Sequence, residues 1–254
     1  SWSASPSGPR GRDVKLSVII PAHNEENTID EVIARVRAVD LGGVAMEIIV
    51  VDDASTDSTG EKLAAYVGQD GIVVLRHPAN RGKGAAIRTG LEAATGEMTI
   101  IQDADLEYDP DDYPRLIKPV VDGAADVVYG SRFRGTRENM ALVNLLANKL
   151  LAWTATLLYG KRITDEATCY KVFRTDILRS FGLECERFEF CPEVTAKTLR
   201  GRYRLVEVPI SYRARTVEAG KKIRAFDGLE AIWTLVRFRF KPLGSRVDKK
   251  VDGA

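Results

Sequence analysis

Five short runs of branched apolar residues set the possible folds for this chain: L-S-V-I-I (Leu16 to Ile20), E-I-I-V-V (Glu47 to Val51), I-V-V-L (Ile72 to Leu75), M-T-I-I (Met98 to Ile101) and D-V-V-Y (Asp126 to Tyr129). Runs this short, bounded by turn residues, read as strands. Between them Glu25 to Val39, Ser58 to Val67, Gly84 to Ala94 and Asp111 to Val121 repeat apolar residues every three to four positions and read as helices. Strand and helix in alternation imply an α/β fold, a mostly parallel central sheet with helices on both faces. Open sheets of this kind bind ligands beyond the C-terminal ends of their strands. The conspicuous polar clusters all fall there: P-A-H-N-E-E, D-D-A-S-T-D, H-P-A-N-R-G-K-G and Q-D-A-D-L-E follow the first four strands in turn. Any one of them is explained as helix capping. All four on one sheet edge point to a site.

The fourth cluster is the most demanding. T-I-I-Q-D-A-D-L-E-Y-D-P-D-D-Y places six acids behind the strand, and Glu97 to Asp126 carries nine acids against two bases. Carboxylates so close repel unless a cation or a proton relieves them. Magnesium and manganese take one or two carboxylates and fill the remaining positions with phosphate oxygens. Asp103 and Asp105 meet that need, with Glu107 beside them. Asp109 is placed to cap the following helix, whereas Asp103 and Asp105 stand too far before it. The run from Asp103 has neither the glycine nor the glutamate of an EF-hand. A phosphatase of the D-x-D type fits poorly, because Leu106 and Glu107 replace its usual Gly and Thr and the strand is the fourth. N-R-G-K-G (Asn80 to Gly84) lacks the spacing of a phosphate-binding P-loop.

The rest of the chain bounds the partners. With 254 residues, 44% of them hydrophobic, it can build one large core. Net charge is +1, yet Lys197 to Lys250 carries fifteen bases against five acids. That favours phosphorylated substrates or an anionic membrane surface over nucleic acid, since no nucleic-acid reader motif organises the bases. Cys169, Cys185 and Cys191 have no metal spacing and fit a reducing compartment. No unbroken run of eighteen apolar residues occurs, so a spanning helix is not expected, and the N-terminus lacks the basic, then apolar, pattern of a signal peptide. Asn139 to Tyr159 is the most apolar segment and reads as a long buried helix or an interfacial helix touching lipid. Cys169 to Phe173 and Arg204 to Ile210 read as strands and Pro192 to Leu199 as a helix. Ala225 to Phe240 is an amphipathic helix suited to packing or to a membrane surface. Residues 1–13 read as a flexible tail or expression remnant and 241–254 as a basic tail.

Taken in order, S-V-I-I-P-A-H-N-E-E, V-V-D-D-A-S-T-D-S-T, N-R-G-K-G-A-A-I-R-T-G, Q-D-A-D-L-E-Y-D-P and G-S-R-F, followed by T-C-Y-K-V-F-R, R-F-E-F-C-P-E and V-E-V-P-I-S-Y, resemble the family 2 glycosyltransferases. The likeness runs from Lys15 to Phe240 and is strongest to the branch of dolichyl-phosphate mannosyltransferase and the polyprenyl-phosphate glucosyltransferases. It implies a GT-A type nucleotide-diphospho-sugar transferase fold in one catalytic domain, 14–240, with a nucleotide-binding half of about 14–130 and an acceptor half of about 131–240. It implies that Pro21, His23 and Glu25 line the nucleoside pocket, that Asp53 contacts base or ribose, and that Lys83 binds substrate. Asp103 and Asp105 become the D-x-D pair holding Mg2+ or Mn2+ and diphosphate, with Glu107 at a further metal-side position. Asp105 and Arg132 are then catalytic candidates, Arg132 facing phosphate or acceptor. Arg213, Arg215, Lys221 and Lys222 resemble a mobile basic segment that closes on phosphates.

The reaction implied is inverting hexose transfer from UDP-glucose or GDP-mannose to a polyprenyl phosphate, at the cytosolic face of a membrane. The alternative is a sugar-hydroxyl acceptor, which needs a general base, and Asp165 and Glu166 in T-D-E-A-T are the candidates. Two departures matter. Thr168, Cys169 and Tyr170 replace a Ser-Gly-Phe-like stretch of the mannosyltransferases, which leaves the donor sugar open. Where some relatives continue into membrane helices, this chain has G-S-R-V-D-K-K-V-D-G-A, so a surface-attached or a shortened form is implied.

Overall fold

A computed structural model of the chain describes residues 14–214 and 225–242. Arg215, Lys221, Lys222, the 1–13 tail and residues 243–254 lie outside the described residues. Five strands, β1 (Lys15–Ala22), β2 (Ala45–Asp52), β3 (Ile72–Arg76), β4 (Met98–Ile101) and β5 (Val127–Ser131), coincide with the five apolar runs. They are followed by β6 (Arg137–Glu138), β7 (Lys171–Arg174), β8 (Leu205–Pro209) and β9 (Tyr212–Arg213). The helices are α1 (Ile29–Ala38), α2 (Thr59–Ala64), α3 (Lys83–Ala93), α4 (Tyr113–Val121), α5 (Leu142–Tyr159), α6 (Thr175–Ser180), α7 (Phe190–Arg200) and α8 (Ala225–Phe240).

Seven strands form one sheet in the order β3-β2-β1-β4-β7-β5-β8, while β6 and β9 pair separately. The β1/β2, β1/β4, β2/β3 and β5/β8 pairs are parallel, and β7 alone is antiparallel to both its neighbours. This is the GT-A type α/β arrangement. Because successive strand residues point to opposite faces, β2 serves two layers at once. Ile48 and Val50 pack with Ile29, Val32, Ile33 and Val36 of α1, whereas Ile49 and Val51 pack with Ala86 of α3. Both faces being covered explains why β2 reads as a continuous apolar run.

Helix α1 begins at Ile29, four residues later than the periodicity suggests. Glu25 to Thr28 form a turn instead, in which the Thr28 and Ile29 amides donate to the Glu25 carbonyl at 3.1 and 3.0 Å. Asp109 does cap the turn before α4, its Oδ1 accepting from the Asp111 amide at 3.2 Å. The chain order places β1 between β2 and β4. The crevice at their C-terminal ends is therefore where the loops after β1, β2, β3 and β4 meet.

At the opposite edge of the sheet Glu47 ties three segments together. Its carboxylate accepts from Ser17 Oγ at 2.6 Å and from Thr95 N at 2.6 Å, and pairs with Lys15 at 2.6 Å. Burial alone would raise its pKa, but Lys15, Ser17 and Thr95 together hold it down at about 2.

Candidate functional site

The loop after β4 is anchored before its acids begin. Buried Gln102 accepts at Oε1 from the hydroxyls of Tyr113 (2.6 Å) and Tyr170 (2.7 Å), and its Nε2 donates to the Asp103 carbonyl at 2.9 Å. Thr28 Oγ1 donates to the Ala104 carbonyl at 2.6 Å, so the start of α1 holds the loop from the other side. Leu106 adopts φ of +61°, a left-handed conformation uncommon outside glycine. The chain thereby turns between Asp105 and Glu107. Asp105 Oδ1 accepts from the Glu107 amide at 3.1 Å. Glu107 is directed elsewhere, its Oε2 accepting from the Tyr212 hydroxyl at 2.7 Å while its carbonyl accepts from the Arg213 amide at 2.9 Å.

These contacts set how the three acids of the loop stand. Among the described residues no three His, Cys, Asp or Glu side chains converge into a metal cluster. Alternation alone would aim Asp103, Asp105 and Glu107 from one side of an extended segment, and the turn at Leu106 breaks that alternation. Asp103 and Asp105 are an oxygen-only pair on one short loop, with Glu107 two residues further on. That donor set fits a hard divalent cation that takes the rest of its ligands from phosphate.

Lys83 reaches this loop from the N-terminus of α3, its ammonium paired with the Asp103 carboxylate. Asp53, expected to touch base or ribose, has both oxygens engaged inside the protein. It accepts from His77 Nδ1 at 2.7 Å, from the Arg81 amide at 2.9 Å and from the Gly82 amide at 2.7 Å. Burial raises its pKa, but these donors outweigh burial and the net shift is downward. His77 Nε2 lies 2.9 Å from Thr89 Oγ1, so Asp53 and His77 brace the turn that carries Lys83. Pro21 is the penultimate residue of β1, His23 Nδ1 lies 2.9 Å from the Asp53 carbonyl, and the Glu25 amide donates to Thr59 Oγ1 at 2.8 Å. The loops after β1 and β2 are thus stitched together at the crevice.

On the far side of the loop Arg132 and Asp165 form one unit. The Asp165 carboxylate accepts from Arg132 N at 2.9 Å, Nε at 2.8 Å and Nη2 at 2.8 Å. Asp165 has 0% exposure and Arg132 only 5%. Burial would lower the Arg132 pKa, but Asp165 raises it well above its ordinary value. The guanidinium stacks over Tyr212, 5.0 Å from the ring centroid. Glu166 is also 0% exposed, with Thr195 and Lys171 as the groups nearest its carboxyl that favour its charge. Burial pushes its pKa up, with Lys171 acting against the shift. Lys171, itself buried, donates from Nζ to the Glu166 carbonyl at 2.7 Å and to the Thr168 carbonyl. Arg213 is exposed and pairs with Glu138 at 2.8 Å. It borders a cavity of about 470 Å3 whose wall includes Arg35, Glu107, Tyr108 and Tyr212.

The structure therefore brings together Lys83, Asp103, Asp105 and the β1 and β2 loops, and on the opposite side the Arg132–Asp165 pair against Tyr212. Thr28, Gln102, Tyr113 and Tyr212 all contribute without having been named as site residues, and Gln102 carried a local signal in its position immediately before the acids.

Comparison with known proteins agrees with this architecture. Residues 17–182 match the family described as glycosyl transferase family 2. The chain is 30% identical over 232 residues to a dolichol-phosphate mannosyltransferase of Pyrococcus furiosus, covering 89% of this chain and 64% of that relative's length. It is 31% identical over 238 residues to an undecaprenyl-phosphate mannosyltransferase of Micrococcus luteus, with 89% and 94% covered. Among solved structures, glucosyl-3-phosphoglycerate synthase of Mycobacterium tuberculosis in complex with phosphoglyceric acid superposes with a TM-score of 0.70 at 22% identity, covering 91% of this chain and 82% of that one. The same enzyme with Mn2+, UDP and glucosyl-3-phosphoglycerate gives a TM-score of 0.68 at 22% identity, again with 91% and 82% covered. With the acid loop, the crevice and these likenesses in agreement, the chain belongs to glycosyl transferase family 2 and is a glycosyltransferase.

Proposed function

We propose that the chain moves a hexose from a nucleotide sugar to a phosphate-bearing acceptor, with inversion, and that in the reading the site geometry supports best this acceptor is a polyprenyl phosphate. The observation that carries the acceptor is the state of Asp165 and Glu166. One is locked to Arg132 and the other is enclosed with its carboxyl pKa raised, so neither is placed to take a proton from an incoming hydroxyl. A phosphate monoester arrives already anionic and needs no such base. The sequence relatives support the same reading, since their names specify dolichol and undecaprenyl phosphates.

In this reading residues 14–240 act as one catalytic unit, with donor loops before about residue 130 and acceptor elements after it. A divalent ion, when bound, supplies charge neutralisation for the donor diphosphate and its leaving group. Asp103 and Asp105 are the residues that would hold it. Lys83 offers a cation at the same place, and Arg132, oriented by Asp165, presents charge toward the acceptor side. Arg213 adds a further cation at the cavity mouth.

Helix α5 supports a lipid partner. By length and composition it is apolar enough to cross a membrane, yet it lies along α8, and the Tyr159 hydroxyl donates to the Leu235 carbonyl at 2.6 Å. Leu142, Leu146, Leu150, Trp153 and Leu157 form an exposed row on it, with Trp233 exposed on α8. No acid occurs from Asn139 to Thr164, while Arg237, Arg239 and Lys241 lie at the end of α8. An apolar face with a cationic edge suits the surface of an anionic membrane, which would place the enzyme at a cytosolic membrane face. Trp153→Asp is expected to weaken binding to anionic liposomes, and unchanged binding would sink this part.

A second reading is favoured by the solved structures. They pair this fold with phosphoglyceric acid, so the structural comparison backs a hydroxyl on a phosphorylated sugar or glycolipid better than a lipid phosphate. The base would then have to come from outside the Asp165–Glu166 pair. One screen separates the two: UDP-glucose and GDP-mannose with Mn2+, offered a short polyprenyl phosphate or 3-phosphoglycerate, on wild type and Asp105→Ala. Transfer to the lipid that disappears in the variant supports the first reading. Transfer to phosphoglycerate alone overturns it in favour of the second.

A further inference from the structure

The central ion pair of the site joins two residues with different tasks. The Lys83 ammonium meets the Asp103 carboxylate and lies 3.7 Å from Cys169 Sγ. The backbone carrying each partner is tied to neighbouring segments. Gly82 has φ of +93°, and a Cβ there would sit 2.5 Å from the Glu186 carbonyl oxygen; one on Gly84 would sit 2.4 Å from that of Cys185. The Arg81 and Gly82 amides are held by Asp53, and the Ala85 amide donates to the Glu186 carbonyl at 3.0 Å. Asp103 is pinned through Gln102. Lys83 reaches Asp103 through a long flexible stem, which lets its ammonium change partners.

A divalent ion and an ammonium compete for one carboxylate, because each repels the other at contact distance. A donor diphosphate changes that balance by offering the ammonium a second anion within the same crevice. We propose that Lys83 couples metal entry to donor entry: it neutralises Asp103 by itself, and on moving to the diphosphate it yields that carboxylate to the divalent ion. This rests on the reading of Asp103 as metal-side and of the donor as a nucleotide sugar. Linkage then requires that donor and metal tighten each other by the same factor.

The test is Mn2+ binding to the whole chain by titration calorimetry, without and with UDP, for wild type, Lys83→Met, Lys83→Arg and Asp105→Ala. Without UDP, Lys83→Met should bind Mn2+ about tenfold more tightly than wild type, within the usual range of coupling between sites. Lys83→Arg, which keeps the cation, should stay near wild type, and UDP should tighten Mn2+ more in wild type than in Lys83→Met. Equal or weaker Mn2+ binding by Lys83→Met, or no binding by either protein, overturns the proposal. The underlying reading is tested separately by UDP. If wild type binds UDP with Mn2+ and Asp105→Ala loses the metal effect, that reading stands, and a null result in Lys83→Met counts against the role of Lys83 alone.

Discussion

The acids of the loop after β4 and the acids of the T-D-E-A-T segment are alike in composition and opposite in use. Asp103 and Asp105 follow the C-terminal end of a parallel strand, half-buried, with Lys83 paired to Asp103. Asp165 and Glu166 are wholly enclosed, one neutralised by Arg132 and the other held with its pKa raised. Inside the protein such residues must be satisfied by the protein, and they become parts of its framework.

The contrast can be broken most directly at Asp105. Asp105→Ala should reduce transfer by about 10³-fold or more, as expected where charge stabilisation of the leaving group is lost, with the thermal midpoint nearly unchanged. Activity and melting falling together would show that this loop too is framework. Glu47 offers the converse case, a carboxylate far from the crevice. Its folded pKa of about 2 lies below the ordinary 4.5. It therefore stabilises fully above about 4.5, and that contribution fades as pH falls toward 2. Glu47→Gln should lose on the order of 3 kcal/mol in denaturant unfolding at pH 7, and the loss should shrink in acid.

Asp165→Asn sharpens the distinction between a base and a positioner. As a positioner of Arg132, Asp165 when changed should raise the acceptor KM by about tenfold, the scale of a hydrogen bond to a charged group. The acidic limb of the kcat profile should stay in place, and disappearance of that limb would restore Asp165 as a base. The smallest effect belongs to Glu166→Gln. A carboxyl whose folded pKa is raised favours folding below its unfolded pKa and loses that advantage as pH rises through the folded value. The glutamine variant should thus gain stability relative to wild type between pH 4 and pH 8, with activity near wild type.

Much of this was legible before any fold was known. The strand at Glu47 to Val51 needed only its branched apolar run, and the placement of four polar loops on one sheet edge followed from parallel topology. The capping role of Asp109 followed from its position before Pro110. What escaped was every contact between distant segments. Tyr212 reaches Glu107 across a separation of 105 residues, and Arg132 meets Asp165 across 33. No local period encodes such pairs.

The amino-acid sequence by itself determined the alternation of strand and helix, the edge at which the polar loops gather and the pair Asp103 and Asp105, because these depend on period and order along the chain. Only the tertiary structure decided that β7 inserts antiparallel between β4 and β5, that α5 turns its apolar row outward, and that Asp165 and Glu166 are interior. A helix apolar on most of its circumference carries no label for its buried side. A carboxylate carries no label for its partner until folding fixes which charge lies beside it.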